Sequence, residues 1–373
     1  MKTKNSMIIL GVSFVWFTTH FGGGFASGAQ IYSYFTRFGI WCLIMPVIAM
    51  LYNAIFFAYS LYFAKKHNVY DYRSYNNAFY GKFSPIFSNL FEILYICVMC
   101  VAPAVAFATG GATLSTLTGM PYMLCTLIIG VFIFTVSIFG TNLVRKVAWI
   151  ISICIIAGLF IVYLPNIFTQ LPKISNTISS MKSADISFTD ALYSAFLYGT
   201  FQLSNIAVFV QHAKSFEKPK DAVKSMGIGF IINSIMMIIV VIGLMTIYTN
   251  PEAATQSVPT LFMVKNGVGS AFMTSLISIL IILGAVSTAV NMVAAMVKRI
   301  CGEKKEVNTN ITSKKIIAAL ICCIIDFAVA QFGLLTLVQK AYGFLAYLAI
   351  PVILIPYLIH MILSYKKAKN ISD

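Results

Sequence analysis

Apolar residues form long, nearly uninterrupted stretches along the chain, and short polar segments separate them. A stretch of about 18 apolar residues or more is long enough to cross roughly 30 Å of hydrocarbon as a helix. The pattern predicts an all-α membrane protein with ten transmembrane helices in one domain over residues 1–373. A short interfacial or re-entrant helix is expected at 333–343. The predicted spans are about 7–36, 39–64, 86–115, 121–139, 143–164, 188–212, 222–249, 268–298, 314–332 and 344–364.

Composition agrees with a lipid bilayer as the surroundings of this chain. Hydrophobic residues make up 59% of the sequence and charged residues 10%, whereas soluble domains contain about 25% charged residues. The net charge is +15, and the Lys and Arg residues are distributed unequally between the two sides of the membrane. With a cytoplasmic N-terminus, 21 of them lie on the cytoplasmic side and five on the external side. This asymmetry follows the positive-inside rule and argues against a nucleic-acid partner. We therefore predict a multi-pass protein of the bacterial cytoplasmic membrane with both termini cytoplasmic.

Two of the predicted spans contain residues that do not favour a continuous helix. The first span contains FGGGFASGAQ, from Phe21 to Gln30, whose glycines weaken a helix because glycine loses more backbone entropy than other residues. The sixth span has one glycine and five hydrogen-bonding side chains between Tyr198 and Asn205. A membrane tolerates the freed N–H and C=O groups of a broken helix where the break is buried in protein or lines a polar cavity. Secondary transporters bind substrates at paired breaks of this kind.

The two breaks are spaced as an internal repeat would place them. Gly23 and Gly199 lie 176 positions apart, close to half the chain. The spans that follow match at a similar offset, 39–64 with 222–249 and 86–115 with 268–298. Each repeat has five spans, an odd number, so the second repeat must enter the membrane in the opposite orientation. The predicted inverted repeats cover about 7–164 and 188–364.

Several segments resemble the YkvI family of bacterial membrane proteins: FGGGFASGAQIYSYFTRFG in the first span, and FYGKFSPIF, TGMPYMLCTLI and AVSTAVNMVAAMVKRI downstream. The resemblance covers nearly the whole chain, although Ala29 and Gln30 stand where the family usually has Gln and Glu. The family is grouped with the amino acid–polyamine–organocation transporters, which implies the LeuT-like fold of five plus five inverted helices. It implies a transport mode but no particular substrate, because members of the superfamily carry many solutes.

The first break is the predicted anion-binding side of a substrate site. Its N–H groups, from about Gly22 to Phe25, lie at the partly positive N-terminal end of the following half-helix, which favours a carboxylate. Neither break contains Asp or Glu to pair with a purely cationic substrate, so an amino acid or related zwitterion fits best. Close helix packing by the glycines is the structural alternative. The predicted substrate-binding residues are Gly22, Gly23, Gly24, Phe25, Ser27, Tyr198, Gly199, Thr200, Phe201, Gln202 and Asn205.

Gln202 stands in the second break where the wider superfamily has an acidic residue, in a run, FLYGTFQ, that resembles the unwound segment of those transporters. A glutamine amide both donates and accepts hydrogen bonds, so Gln202 could contact either end of a zwitterion. Alternatively, Gln202 and Asn205 only satisfy backbone groups that the break sets free.

Adjacent hydroxyls in the eighth span are the predicted site of a coupling Na⁺ ion. Ser287 and Thr288 present two oxygen atoms, and hard cations prefer oxygen ligands. The Gly284 carbonyl, one turn earlier, and carbonyls freed near Thr18 and Phe21 would bring the number of oxygens to about five. The sodium site of LeuT-like proteins uses this arrangement, so the resemblance implies Gly284, Ser287 and Thr288 as ligands. The alternative is that both hydroxyls bond back to their own helix.

Protons are the alternative coupling ion, and intramembrane ionisable groups are the default candidates to carry them. We predict His20, Glu92 and Asp326 as these candidates. Asp190 has a local role instead, because Ser187 and Asp190 have the spacing of a helix cap.

An ion-coupled secondary transporter that imports an amino acid or related small zwitterion by alternating access is therefore predicted. No H-E-x-x-H motif, paired catalytic constellation or phosphate-binding loop occurs, so an enzyme and an ATPase are not predicted. An organic-cation or amine carrier of the same fold is the alternative, and a channel is a weaker one, since it needs no paired breaks. The expected partners are a small-molecule substrate and the bilayer, with Na⁺ as coupling ion and no cofactor. No oligomeric state follows from the sequence.

Overall fold

A backbone surrounded by hydrocarbon must satisfy its hydrogen bonds within the segment itself, and a helix does so. The computed structural model describes residues 2–139, 141–183, 185–301 and 312–372, and every regular element in these ranges is helical. The first-half helices are α1 (Lys2–His20), α2 (Gly23–Ala26), α3 (Ala29–Tyr34), α4 (Met45–His67), α5 (Tyr72–Tyr80), α6 (Ser84–Thr118), α7 (Tyr122–Phe139), α8 (Thr141–Thr169) and α9 (Leu171–Ser183). The second-half helices are α10 (Phe188–Gln202), α11 (Ile206–Phe209), α12 (Lys220–Met245), α13 (Pro259–Lys265), α14 (Ser270–Cys301), α15 (Ser313–Ala330), α16 (Leu334–Thr336), α17 (Tyr342–Ala349) and α18 (Ile355–Ser372).

Six helical stretches among the described residues are long and apolar enough to cross a membrane. A seventh is added if the last part of α8 and α9, which meet at a bend of 79°, form one span. The predicted all-helical, multi-pass character is thereby confirmed. The count of ten spans and their arrangement as inverted repeats stay predictions. The six stretches are Met45–His67, Tyr72–Thr118, Tyr122–Phe139, Lys220–Met245, Ser270–Cys301 and Leu334–Lys366.

The break in the first span is confirmed, and contacts with α13 hold its far end in place. Regular helix stops at His20, resumes for the single turn of α2, and stops again before α3. Gly28 has φ +79°, and a Cβ there would lie 2.6 Å from the Thr260 hydroxyl oxygen. The Thr260 N–H donates to the Ser27 carbonyl at 3.0 Å. The chain therefore needs glycine at Gly28 both for its backbone conformation and for this close approach.

The second break differs from its prediction in position and in kind. The backbone continues as α-helix through Gly199 to Gln202, then tightens to a 3₁₀ turn at Leu203–Asn205 before α11 begins. The residues on either side of that turn have right-handed helical conformations, so the span narrows there and does not unwind. Gly199 lies inside α10, where a Cβ would overlap the Tyr52 ring. Its role in the structure is helix packing.

The prediction of a separate short helix at 333–343 is wrong. Gly333 starts a helical run at φ +82° that continues to the end of the described chain. Two π-helical turns, Leu337–Ala341 and Ile350–Leu354, join α16, α17 and α18 into this run. Lys340 therefore lies within the first π-turn of a long helix. The predicted cap of α10 is present, since the Ser187 hydroxyl accepts a hydrogen bond from the Asp190 N–H.

Segments that the charge pattern assigns to one side of the membrane contact each other. On the predicted cytoplasmic side, the Lys65 ammonium donates to the Lys214 carbonyl at 3.4 Å. On the predicted external side, the Trp41 indole donates to the Ile186 carbonyl at 2.9 Å. In the interior, α4 packs along α12 and α6 packs along α14. These are the two pairs of spans that the repeat prediction matched.

The loops 65–85, 140–146, 213–221 and 299–313 should be cytoplasmic, and 165–187 and 250–267 external; Gly140 and residues 302–311 lie outside the described chain. The test starts from a variant in which the eight native cysteines are replaced. Ser215→Cys then introduces one cysteine at an exposed position on the predicted cytoplasmic side, and Thr255→Cys introduces one at an exposed position on the predicted external side. A membrane-impermeant maleimide added to intact cells should label only Thr255→Cys. Labelling of Ser215→Cys under the same conditions would contradict the ten-span topology.

Candidate functional site

A cavity of about 80 Å³ lies between the two interrupted spans. Its walls come from the end of α1, the glycine break, α3, α6, the α10–α11 junction, α14 and α17. Polar groups gather on the sides formed by the two breaks, while α6 contributes a wall of small apolar side chains. The lining residues are Thr19, His20, Gly22, Gly24, Gln30, Val98, Ala102, Val105, Ala106, Phe201, Gln202, Ser204, Asn205, Thr288, Met292, Tyr342 and Leu345.

Hydrogen bonds around the 3₁₀ turn of the sixth span determine which groups of Gln202 are available to a ligand in the cavity. The Asn205 side-chain amide donates to the Gln202 carbonyl oxygen at 2.7 Å. One of the two lone pairs of the Gln202 oxygen is therefore engaged, and the Gln202 NH₂ group provides two N–H donors. Ser204 donates to the Phe201 carbonyl at 2.8 Å, which ties its hydroxyl to the backbone of the same turn. This side of the cavity consequently offers the Gln202 NH₂ donors, with the Asn205 carbonyl oxygen as a neutral acceptor beside them.

The first break also offers backbone donors, over a shorter stretch than predicted. The N–H groups of Phe25 and Ala26 both donate to the Gly22 carbonyl, at 3.0 and 3.1 Å. The N–H of Phe25 is therefore not available to a ligand. The first N–H groups of a helix have no intrahelical acceptor, so the anion-binding prediction narrows to Gly22, Gly23 and Gly24. Gly23 is the first residue of α2.

His20 lies at the floor of this cavity and is only 4% exposed. Its Nδ1 lies 2.8 Å from the Asn233 carbonyl oxygen. Because Asn233 uses its NH₂ group to donate to the Gly229 carbonyl, His20 must be the donor in this contact. Its Nε2 is then left to accept from the Tyr198 hydroxyl. A neutral imidazole satisfies both contacts, and a second proton on the ring would reverse the direction of the one with Tyr198, whose hydroxyl oxygen would then accept.

A second, smaller cavity of about 40 Å³ contains the predicted sodium site. Thr288 donates to the Gly284 carbonyl at 2.9 Å, so the back-bonding alternative accounts for this hydroxyl in the state described. Ser287 makes no hydrogen bond among the described residues. The structure thus brings together all the residues predicted to bind Na⁺. The lining residues are Phe17, Thr18, Phe21, Gly22, Ile155, Gly284, Ser287 and Thr288.

The two cavities share a wall made by Gly22 and Thr288. A Cβ on Gly22 would lie 3.1 Å from the Thr288 hydroxyl oxygen. A side chain at this position would require the Thr288 side chain to shift by a few tenths of an ångström. A ligand in one cavity and a ligand in the other would therefore both lie against Gly22 and Thr288.

Some predicted substrate-binding residues do not line the larger cavity. Tyr198 is fully buried behind His20. Thr200 donates to the Phe196 carbonyl, and Ser27 donates to the Gly24 carbonyl at 2.8 Å. Phe25 packs against the His20 ring. These residues hold the breaks in shape, and their prediction as direct ligands, like that of Gly199, is not supported by their positions.

Other lining residues were absent from the sequence prediction. Gln30 stands at the end of the motif that marked the first break, and its polarity within an apolar span was the signal that could have identified it. Thr19 and Ser204 are adjacent to predicted residues. The α6 wall and Tyr342 carried no sequence signal, because apolar and aromatic residues are common throughout this chain.

Two of the three candidate proton carriers lie away from both cavities. Glu92 forms an ion pair with Arg299, and both groups contact the Tyr72 hydroxyl. This cluster joins α5, α6 and α14 at the predicted cytoplasmic end, so Glu92 has a structural role there. Asp326 is 3% exposed on α15. Their part in proton coupling, and that of His20, stays a prediction.

The fold is shared with a structurally characterised transporter. The structure matches that of a manganese transporter of Eremococcus coleocola, crystallised in complex with an aromatic bis-isothiourea substituted compound, with a TM-score of 0.54. The match covers 95% of this chain and 77% of that chain at 16% sequence identity, so it shows similarity of fold alone. No protein-family model and no curated protein sequence matches this chain.

Gly199→Ala tests whether this glycine serves packing. The added Cβ would overlap Tyr52, and overpacking typically costs about 1–3 kcal/mol, so the variant should unfold at a lower temperature in detergent. Gly11→Ala is the matched control, since a Cβ there has no neighbour within 4 Å, and its unfolding temperature should not fall. Unchanged unfolding with abolished uptake in Gly199→Ala would instead place this residue in the substrate site.

Proposed function

We propose that this protein is an ion-coupled secondary transporter with a LeuT-like arrangement of ten helices, importing a small amino acid or related zwitterion. The observation that carries the proposal is the pair of adjacent cavities at the first break, which share Gly22 and Thr288. A substrate in one cavity and a cation in the other would each stabilise the same local conformation. Coupling between two ligands requires such a differential effect on a common state.

The size of the larger cavity favours a small substrate. A space of about 80 Å³ equals the volume of about three liquid waters, at roughly 30 Å³ each. Glycine, alanine and serine are amino acids of this size. The α6 wall, with Val105 and Ala106, leaves little room for a longer side chain in this conformation.

Charge and donor placement favour a zwitterion over a substrate that is only cationic. The larger cavity has no Asp or Glu in its lining. The glycine break and the Gln202 amide instead present N–H donors, which suit a carboxylate. An organic-cation carrier with an aromatic pocket, using Phe201 and Tyr342, is the second candidate.

Manganese, the substrate named for the similar structure, is less compatible with these residues. Divalent manganese is held mainly by carboxylate, carbonyl and water ligands. No group of three or more His, Cys, Asp or Glu among the described residues could hold a metal ion. The shared fold therefore supports transport, and the chemistry of the cavity favours a different cargo.

Removal of both hydroxyls tests the sodium assignment. Ser287→Ala combined with Thr288→Ala deletes two oxygens from a small site, so uptake should show an apparent Na⁺ affinity at least about tenfold weaker, or ~1.4 kcal/mol, or disappear. Thr288→Ser should be mild because the hydroxyl remains. Ser275→Ala is the matched control, since this exposed serine on the same helix bonds to the Ala271 carbonyl. Wild-type uptake that ignores Na⁺ but follows a pH gradient would contradict the assignment and favour His20 or Asp326.

Comparison of an acid with its decarboxylated amine tests the anionic end of the substrate. We expect L-alanine to raise the unfolding temperature of the purified protein in Na⁺ buffer, because a ligand of the native state stabilises it by mass action. Ethylamine and alaninamide should bind at least about tenfold more weakly, since they leave the break without an anion to accept its hydrogen bonds. Equal or tighter binding of ethylamine would reject the carboxylate site and favour the organic-cation carrier.

A further inference from the structure

Gln30 has a buried hydrogen-bond acceptor that the protein does not use. It lies in α3, immediately after the first break, and is 6% exposed. Its side chain lines the larger cavity, yet its carbonyl oxygen is buried without a hydrogen-bond partner. Buried polar atoms are nearly always paired, so an unpaired one indicates a role beyond packing or a partner that binds later.

The location of this acceptor distinguishes it from other unpaired atoms in the protein. Among the described residues, the other buried side-chain atoms without a partner belong to Asn5, Asn53, Asn76, Ser88 and Ser234. None of these five residues lines the cavity, whereas Gln30 does. The Gln30 oxygen itself lies just beneath the cavity wall, and an unpaired acceptor on a lining residue is accounted for when a bound ligand supplies the donor.

The cavity lining has only neutral acceptors for a cationic group. The Gln202 carbonyl oxygen already accepts from Asn205, and no carboxylate lines the space. A zwitterionic amino acid brings an ammonium group with three N–H donors, and each needs an acceptor once it leaves water. The Gln30 oxygen supplies one.

Gln30 also lies at the correct place relative to the predicted carboxylate site. A Cβ on Gly24 would lie 2.8 Å from the Gln30 amide nitrogen, so the Gln30 side chain borders the glycine break directly. In an α-amino acid the ammonium and carboxylate are attached to the same carbon atom. A substrate whose carboxylate contacts the break would thus have its ammonium within reach of Gln30.

We propose that the Gln30 carbonyl oxygen accepts a hydrogen bond from the protonated amine of the substrate and thereby selects small α-amino acids. This inference rests on the proposed function, because it concerns the same cavity. It predicts that the substrate requires N–H donors on its amine as well as its carboxylate. Gln30 is then a substrate-contacting residue that sets specificity.

Isosteric ligand pairs test this proposal without changing the shape of the ligand. Isobutyrate has a methyl group where L-alanine has its ammonium, and propionate bears the same relation to glycine. Binding of these four probes to the purified full chain in Na⁺ buffer gives a ratio of amino acid to carboxylic acid affinity. A hydrogen bond to a charged donor should make this ratio at least about tenfold in the wild type.

Three variants test whether this ratio of affinities depends on the Gln30 acceptor. Gln30→Met keeps the length of the side chain but removes the acceptor, so the ratio should fall about tenfold or more. Gln30→Glu keeps an acceptor and should preserve the ratio. Gln339→Met is the matched control, because Gln339 is exposed near α3 and donates to Ser33 outside the cavity. A purely structural role of Gln30 would weaken both members of a pair equally.

The outcomes separate this proposal from the proposed function. If L-alanine or glycine binds but Gln30→Met leaves the ratio unchanged, the role of Gln30 is overturned and the transport proposal stands. Equal wild-type affinity for L-alanine and isobutyrate overturns it as well, even if Gln30→Met does not fold. If neither amino acid binds the wild type, the amino acid site itself is rejected together with the role of Gln30.

Discussion

The structure depends on how the backbone satisfies its hydrogen bonds where the first membrane helix is interrupted. In an apolar environment each unpaired N–H or C=O group is unfavourable by several kcal/mol, so a break persists only with compensating contacts. Here the N–H groups of Phe25 and Ala26 donate to the Gly22 carbonyl, and the Thr260 N–H donates to the Ser27 carbonyl. The α13 segment thus fixes one end of the break, while Gly22 fits against Thr288 at the other. The remaining unsatisfied groups lie next to the two cavities.

This arrangement would give the proposed coupling between cation and substrate a physical basis. Gly22 and Thr288 separate the cavities, and Gly22 also accepts the hydrogen bonds that define the turn of α2. A displacement of this residue would change both cavities together. The approach of the break to α14 is therefore the contact whose presence or absence a cation and a substrate can both influence. A ligand shifts an equilibrium only by its difference in affinity for the two states.

The sequence predicted the membrane character and the first break, because three consecutive glycines within an apolar span strongly disfavour a continuous helix. It located the second break less well, since Gly199 resembles a helix interruption but in fact allows α10 to approach Tyr52. The prediction near the end of the chain was wrong for a similar reason. A separate short helix was expected at 333–343, whereas π-turns keep the helix continuous from Leu334 onward. Periodicity and composition do not distinguish glycine used for close packing from glycine used for a break. That distinction depends on which neighbour the glycine faces.

The distribution of donors and acceptors around the larger cavity is the strongest guide to its cargo. A site for a divalent metal ion would be expected to have converging oxygen or sulfur ligands with negative charge, and this lining has no carboxylate. A site for an amine alone would need acceptors on several sides. The Gln202 carbonyl oxygen already accepts one hydrogen bond, from the Asn205 amide. Donors are present at the break and at Gln202, and the neutral acceptors of the same lining include the unpaired Gln30 oxygen and the Asn205 carbonyl oxygen. N–H donors and neutral acceptors that border one space complement a carboxylate and an ammonium attached to one carbon atom, which is the substrate chemistry that we propose.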